Sequence, residues 1–268
     1  DVKFKGVEGN IVMIGEEIDE LYLAEIQKLS VSPGSNKRQS ELKLIYTPLH
    51  GTGVHLVPKA LDMFGFENVF KVYQQDVTDG NFPTVISPNP EEPAALEMAI
   101  EKARKVDAER VMATDPDADR VGIAVKNLND DLVLLNGNQT ASVLIYYLLN
   151  MWHKKEKLTG KDFIVKTIVT TELLVDIAKK YGVEYYDVLT GFKWIADIIR
   201  KNEGKKQFIA GGEESYGYMI GDFVRDKDAV ASCALIAEVT AWAANQRKSF
   251  FDILVDIYIE FGFYKERL

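Results

Sequence analysis

The sequence predicts an α/β fold of two similar three-layer domains with mixed, mostly parallel sheets. Three observations carry this reading. Short apolar runs alternate with segments of helical period along the chain, the pattern of strand–helix units. The two halves follow variants of one such plan without a residue-level repeat. A length of 268 residues, 47% of them hydrophobic, supplies about two cored domains.

Taken in order, residues 1–15 read as the tail of a missing N-terminal domain, since Asp1 is no initiator methionine. Residues 16–131 form the first domain. Glu16 to Leu29 has helical spacing at Ile18, Leu21, Tyr22, Ile26 and Leu29, and Val31 to Ser40 reads as a polar linker around Pro33-Gly34-Ser35-Asn36. Glu41 to Tyr46 is a strand. The loop Thr47-Pro48-Leu49-His50-Gly51-Thr52-Gly53 then leads into a helix over Val54 to Phe64. Its glycines either expose backbone N–H groups to an anion or merely permit a tight turn. Phe82 to Glu92 is too proline-rich for a central strand, and a helix follows from Pro93 to Lys105.

Residues 132–268 form the second domain. It opens on a strand, Leu132 to Leu135, and a helix, Gln139 to Trp152. The strand Phe163 to Val169 precedes a helix capped by Thr170 or Thr171, and Val183 to Val188 is the next strand. Thr190-Gly191-Phe192-Lys193 turns into another helix. The strand Gln207 to Ala210 opens into Gly212-Glu213-Glu214-Ser215-Tyr216-Gly217, and helices over Ala229–Asn245 and Ser249–Phe261 close the chain.

A net charge of −9 excludes a general nucleic-acid binder but leaves room for an anionic substrate in a locally basic cleft. The single cysteine, Cys233, sits in an apolar helical pattern and reads as a buried structural thiol. No apolar run has the length of a membrane span, which makes the expected location cytoplasmic, with no membrane partner.

The stretch around which the chemistry gathers is Thr114-Asp115-Pro116-Asp117-Ala118-Asp119-Arg120, between two apolar strands. Asp115, Asp117 and Asp119 would repel one another without a cation among them, and a hard divalent ion such as Mg²⁺ takes oxygen ligands. Arg120 adds a planar donor fork suited to phosphate. An EF-hand fails here because its sixth and twelfth positions hold Arg120 and Lys126 instead of Gly and Glu. A dehalogenase-like phosphatase also opens on Asp-x-Asp but continues with Thr or Val where this chain has Asp119.

With the acidic turn and the Gly-Glu-Glu-Ser-Tyr-Gly loop both placed, the chain closely resembles the α-D-phosphohexomutases of the phosphoglucomutase/phosphomannomutase branch. The likeness includes Tyr46 to Gly53, Phe82 to Glu92, Thr190 to Lys193 and Arg225-Asp226-Lys227-Asp228. It implies the second and third of four domains. The serine-bearing Thr-Ala-Ser-His-Asn-Pro motif and the Arg-x-Ser-Gly-Thr phosphate loop do not occur in the sequence. Ser87 lies in a Pro-Asn-Pro-Glu stretch and is not assigned as nucleophile. The expected partners are therefore N- and C-terminal domains of the same polypeptide and a hexose phosphate substrate.

By resemblance, the parent shifts phosphate between C1 and C6 of glucose or mannose through a phosphoserine, with glucose 1,6-bisphosphate as activator. Asp115, Asp117 and Asp119 would hold Mg²⁺ and Arg120 would act in catalysis. Glu213 and Ser215, two residues apart in an extended loop, would take sugar hydroxyls. Thr190 and Gly191 would face the ring, and Lys193 and Lys227 would contact phosphate. Tyr216 stands where some relatives have histidine, so no general base is assigned. The alternatives are a non-catalytic sugar-phosphate binding module and the dehalogenase-like phosphatase.

Overall fold

The computed structural model describes residues 6–266; the first five residues of the expected tail lie outside them. Two helices lead, α1 (Glu16–Lys28) and α2 (Pro33–Arg38). The expected polar linker is thus partly helical. Pro33 sits at the N-terminal turn, where its missing N–H is no loss, and Ser35 and Asn36 are buried.

The first sheet is built from β1 (Leu44–Thr47), α3 (Gly53–Met63), β2 (Val69–Lys71), α4 (Pro93–Val106), β3 (Arg110–Thr114), β4 (Val121–Lys126) and β5 (Leu132–Leu135). Its strand order is β2-β1-β3-β4-β5. β1 runs parallel to β2 and β3, whereas β3–β4 and β4–β5 are antiparallel. β5 was expected to open the second domain. It pairs Leu132–Leu135 against Ile123–Lys126 and is the edge of the first sheet instead.

After α5 (Gly137–Lys154) the plan repeats: β6 (Asp162–Thr167), α6 (Leu173–Lys180), β7 (Glu184–Val188), α7 (Phe192–Asn202), β8 (Gln207–Gly212) and β9 (Tyr218–Ile220). The order β7-β6-β8-β9 reproduces β2-β1-β3-β4, again with a parallel trio and an antiparallel fourth strand. Helices α8 (Ala229–Ala244) and α9 (Phe250–Phe261) finish the chain. A capping box closes the start of α5 (Asn136 with Gln139) and of α9 (Ser249 with Asp252).

The two sheets share one helical layer. α8 is apolar around its whole circumference, which a helix tolerates only when it is enclosed. It packs on α3, β3 and β4 of the first sheet and on β9 of the second, inside one core with α5 and α9. Cys233, on α8, is buried and free. α4 covers the far face of the first sheet and α7 that of the second.

One carboxylate ties this layer together. Glu238 of α8 is fully buried. It accepts hydrogen bonds from the backbone N–H groups of Val31 (2.8 Å) and Ser32 (3.0 Å), from Asn36 Nδ2 (3.0 Å) and Tyr147 Oη (2.8 Å), and from Ser30 Oγ. A buried charge persists only when so paired. The carboxylate thus holds the residues just before α2 and, within α2, Asn36. No helix among the described residues is long and apolar enough to cross a membrane.

Candidate functional site

The aspartate turn joins β3 to β4, both buried and apolar, so its geometry is fixed at both ends. Asp115 is buried, Asp117 exposed and Asp119 between the two. The Asp115 carboxylate folds back on the turn. Its Oδ1 accepts the N–H groups of Asp119 (3.0 Å) and Arg120 (2.9 Å), and Ala118 takes a left-handed φ of 57° to allow this. One ligand oxygen from each of the three aspartates lies within 4.8 Å of the others. Burial, and then its acidic neighbours, push the Asp115 carboxyl up to about 7 against the pull of the Arg120 N–H.

Two cations approach the turn. Arg120 Nε stands 3.7 Å from Asp115 Oδ2 and 3.6 Å from Asp119 Oδ1, while its Nη1 reaches Glu91 at 3.3 Å. Lys227 Nζ lies 2.8 Å from Asp119 Oδ2. Four carboxylates thus face two cations. Asp119 Oδ1 and Arg120 Nε are buried with no hydrogen-bond partner among the described residues. A divalent cation matches both the missing charge and the unpartnered oxygen. Binding such an ion would draw the three carboxylates closer together than they stand here.

The loop Thr47 to Gly53 buttresses the turn. Three of its N–H groups are already committed: His50 to Gln75 O (3.1 Å), Gly51 to Pro48 O (2.8 Å) and Thr52 to Pro116 O (2.8 Å). The anion-cradle reading therefore fails for these groups, and the tight-turn reading describes them. Gly51 is required because a Cβ there would collide with the Pro116 backbone. His50 is buried, 3.1 Å from Val77 O through Nδ1 and 2.8 Å from Thr84 Oγ1 through Nε2, and so ties this loop to the 82–92 segment that carries Glu91.

The second cluster lies after β8. The segment expected to be extended is a bend, closed by Glu213 N–H to Gly217 O at 2.9 Å, with Tyr216 at a φ of 65°. Glu213 is buried and its Oε1 accepts the Gly191 N–H at 2.6 Å, joining the bend to the loop before α7. Glu214 Oε2 accepts from Thr167 Oγ1 (3.0 Å) and Thr170 Oγ1 (3.1 Å). Ser215 is half-buried and Thr190 exposed. Gly137 must lack a side chain, because a Cβ would overlap the Glu214 carbonyl.

The backbone stitches the two clusters together. Arg120 and Gly217 form an antiparallel bridge, Val121 N–H reaches Tyr216 O at 3.1 Å, and Ala229 N–H reaches Ala118 O at 3.0 Å. Lys227 spans them, with its ammonium on Asp119 and 5.9 Å from the Phe192 ring centre, one residue beyond Gly191. Of the predicted site residues, Asp115, Asp119, Arg120, Lys227, Gly191 and Glu213 are linked by hydrogen bonds or ion pairs, the last two through the Gly217 backbone, and Asp117 lies beside them in the carboxylate cluster. Thr190 and Ser215 adjoin them in the chain. Lys193 is apart: it is exposed and its ammonium lies 5.3 Å from the Trp194 ring centre. Sequence reasoning missed Glu91 and Glu214, whose partners are 29 and 44–47 residues away.

Comparison with known proteins identifies the family. Residues 20–129 match the family model described as phosphoglucomutase/phosphomannomutase, alpha/beta/alpha domain II, and residues 136–261 match domain III. The chain is 36% identical over 267 residues to a phosphoglucomutase of Staphylococcus haemolyticus, covering 100% of this chain and 47% of that protein. It is 37% identical over 230 residues to a Staphylococcus aureus phosphoglucomutase, covering 86% of this chain and 41% of that protein. A solved Burkholderia thailandensis protein of the phosphoglucomutase/phosphomannomutase family shares the fold, with a TM-score of 0.68 at 20% identity over 90% of this chain and 46% of that one. The chain spans about half the length of the curated relatives it matches. By its two consecutive family domains and its similarity to these relatives, the chain belongs to the phosphoglucomutase/phosphomannomutase family.

Proposed function

We propose that the parent protein interconverts hexose 1-phosphate and hexose 6-phosphate, with glucose or mannose as the sugar, and that this chain contributes its metal turn and its sugar bend. The observation that carries the reading is the stitching of an under-neutralised acidic turn to a carboxylate-and-hydroxyl bend through Arg120 and Gly217. Phosphoryl transfer depends mostly on positioning and charge compensation, and this arrangement holds the two stations in fixed register.

Asp115, Asp117 and Asp119 would hold Mg²⁺, which when bound supplies positive charge to phosphoryl oxygens. Arg120, whose Nε makes no hydrogen bond among the described residues, would add donors to the same oxygens. The serine that carries the phosphoryl group would come from a part of the polypeptide outside this sequence. Its P–O bond would break as a bond to the sugar hydroxyl oxygen forms, the hydroxyl proton passing to a base not assigned in this chain and the freed serine oxygen taking up a proton. The bisphosphate then turns over and returns its other phosphate to the serine, so glucose 1,6-bisphosphate would act as activator. Glu213 and Ser215 would hold sugar hydroxyls, Thr190 and Gly191 would face the ring, Lys227 would meet a phosphate, and Lys193 would do so from the rim. A cytoplasmic setting suits such substrates.

A phosphatase using Asp115 as nucleophile is disfavoured, because its Oδ1 accepts two N–H groups and burial favours its protonated form. The test is conversion of glucose 1-phosphate to glucose 6-phosphate by this chain alone and by the full-length polypeptide, with mannose 1-phosphate in parallel. The chain alone is expected to be silent and the full polypeptide active. Turnover by the chain alone would contradict the external serine, and a silent full-length protein would favour a binding module.

A further inference from the structure

Arg110 opens β3, at the end of the strand opposite the aspartate turn and roughly 16 Å from it at strand spacing. It is 1% exposed, with its guanidinium carbon 4.1 Å from the centre of the Phe250 ring. Burial lowers its pKa to about 9, so it remains charged at neutral pH. Stacking uses the face of a guanidinium and leaves its in-plane donors free. Here Nε and Nη1 have no hydrogen-bond partner among the described residues. A buried cationic donor without a partner is strongly unfavourable, and a ligand that accepts its hydrogen bonds relieves that cost.

Arg110 lines a cavity of about 80 Å³, together with Lys126, Lys248, Ser249, Glu109 and Phe250. The other charged groups in the wall are engaged: Lys126 with Asp107, Lys248 with Asp256, and Glu109 with the Lys43 N–H. The cavity, at about 80 Å³, exceeds the roughly 10–15 Å³ of probe volume that one water needs, and is too small for a sugar phosphate.

We propose that this cavity binds a small monovalent inorganic anion of halide size on the Arg110 guanidinium. The walls come from β3 and β4 on one side and from α8, α9 and their connection on the other. Such an anion fastens the closing helices to the first sheet, away from the aspartate turn.

The test uses bromide. In crystals of this chain soaked in sodium bromide, diffraction at the bromine edge should show an anomalous peak within hydrogen-bond reach of Arg110 Nε or Nη1. Bromide peaks confined to the surface, with water or nothing at Arg110, would overturn the proposal. In solution, replacing sodium gluconate with sodium bromide at fixed sodium should raise the melting temperature saturably, by about 3 °C. Arg110→Leu should abolish that rise. An equal rise in both proteins would also overturn the proposal.

Discussion

The aspartate turn after β3 and the glutamate bend after β8 occupy the same place in two copies of one topology, yet they treat their carboxylates in opposite ways. In the bend each acid is answered from within: Glu213 by the Gly191 N–H, Glu214 by two threonine hydroxyls. In the turn Asp119 keeps an oxygen with no hydrogen-bond partner among the described residues, and the Asp115 carboxyl is pushed up to about 7. A satisfied acid defines a shape, and an unsatisfied cluster defines a place for a cation from outside. On the proposed function, the same hairpin position would serve recognition in one sheet and charge compensation in the other.

The largest expected effect comes from breaking the unsatisfied cluster. Asp117→Asn in the full-length protein should lower kcat by about 10³-fold, as loss of a charge-positioning group does. Asp117 is exposed, so the metal-free variant should melt no lower than the parent. A variant that merely unfolds would contradict the division of roles. Next is the support beneath the turn. Gly51→Ala drives a Cβ into the Pro116 backbone and should cost about 3 kcal/mol in chemical denaturation.

In the satisfied bend the expected loss is smaller. Glu213→Ala should reduce kcat/KM by about 10- to 100-fold and change the ratio between glucose and mannose 1-phosphates. An equal loss for both sugars would make Glu213 a structural acid holding Gly191 and nothing more.

The last effect is on pH dependence. The Asp115 carboxyl sits at about 7 in the folded protein against about 4 when unfolded, so between those values the folded state holds the extra proton. The Asp115 contribution to the stability of the metal-free protein should therefore be fully present below about 4 and be lost as pH rises toward 7, by at most about 1.4 kcal/mol per unit. Metal affinity should move the other way, since the ligand must lose that proton. Asp115→Asn should flatten the stability slope, and an unchanged slope would assign it to another group.

Much of this was legible in the sequence. The buried strands β3, β4 and β6 announce themselves as apolar runs, and α8 and α9 as long apolar segments. β2 and β9 do not, because three residues are too few to display an alternation. α2 was hidden by a turn-like Pro-Gly-Ser-Asn sequence that Glu238, about 200 residues away, anchors through the backbone just before it and the Asn36 side chain. β5 was readable as a strand but not as the edge of the first sheet, since pairing partners are not written in a local pattern. In the site, the aspartates stand on consecutive odd positions and Arg120 follows directly, so the cluster could be seen. The Glu91–Arg120 and Glu214–threonine pairs exist only once the loops meet.

The account rests on a divalent cation among Asp115, Asp117 and Asp119. Crystals of this chain soaked in manganese chloride, a spectroscopically convenient substitute for magnesium, test it directly at the manganese edge. The account predicts one anomalous peak in contact with an oxygen from each of the three aspartates, at about 2.1–2.2 Å. Manganese bound to other surface acids while this turn stays vacant, with its three carboxylates apart, would contradict it.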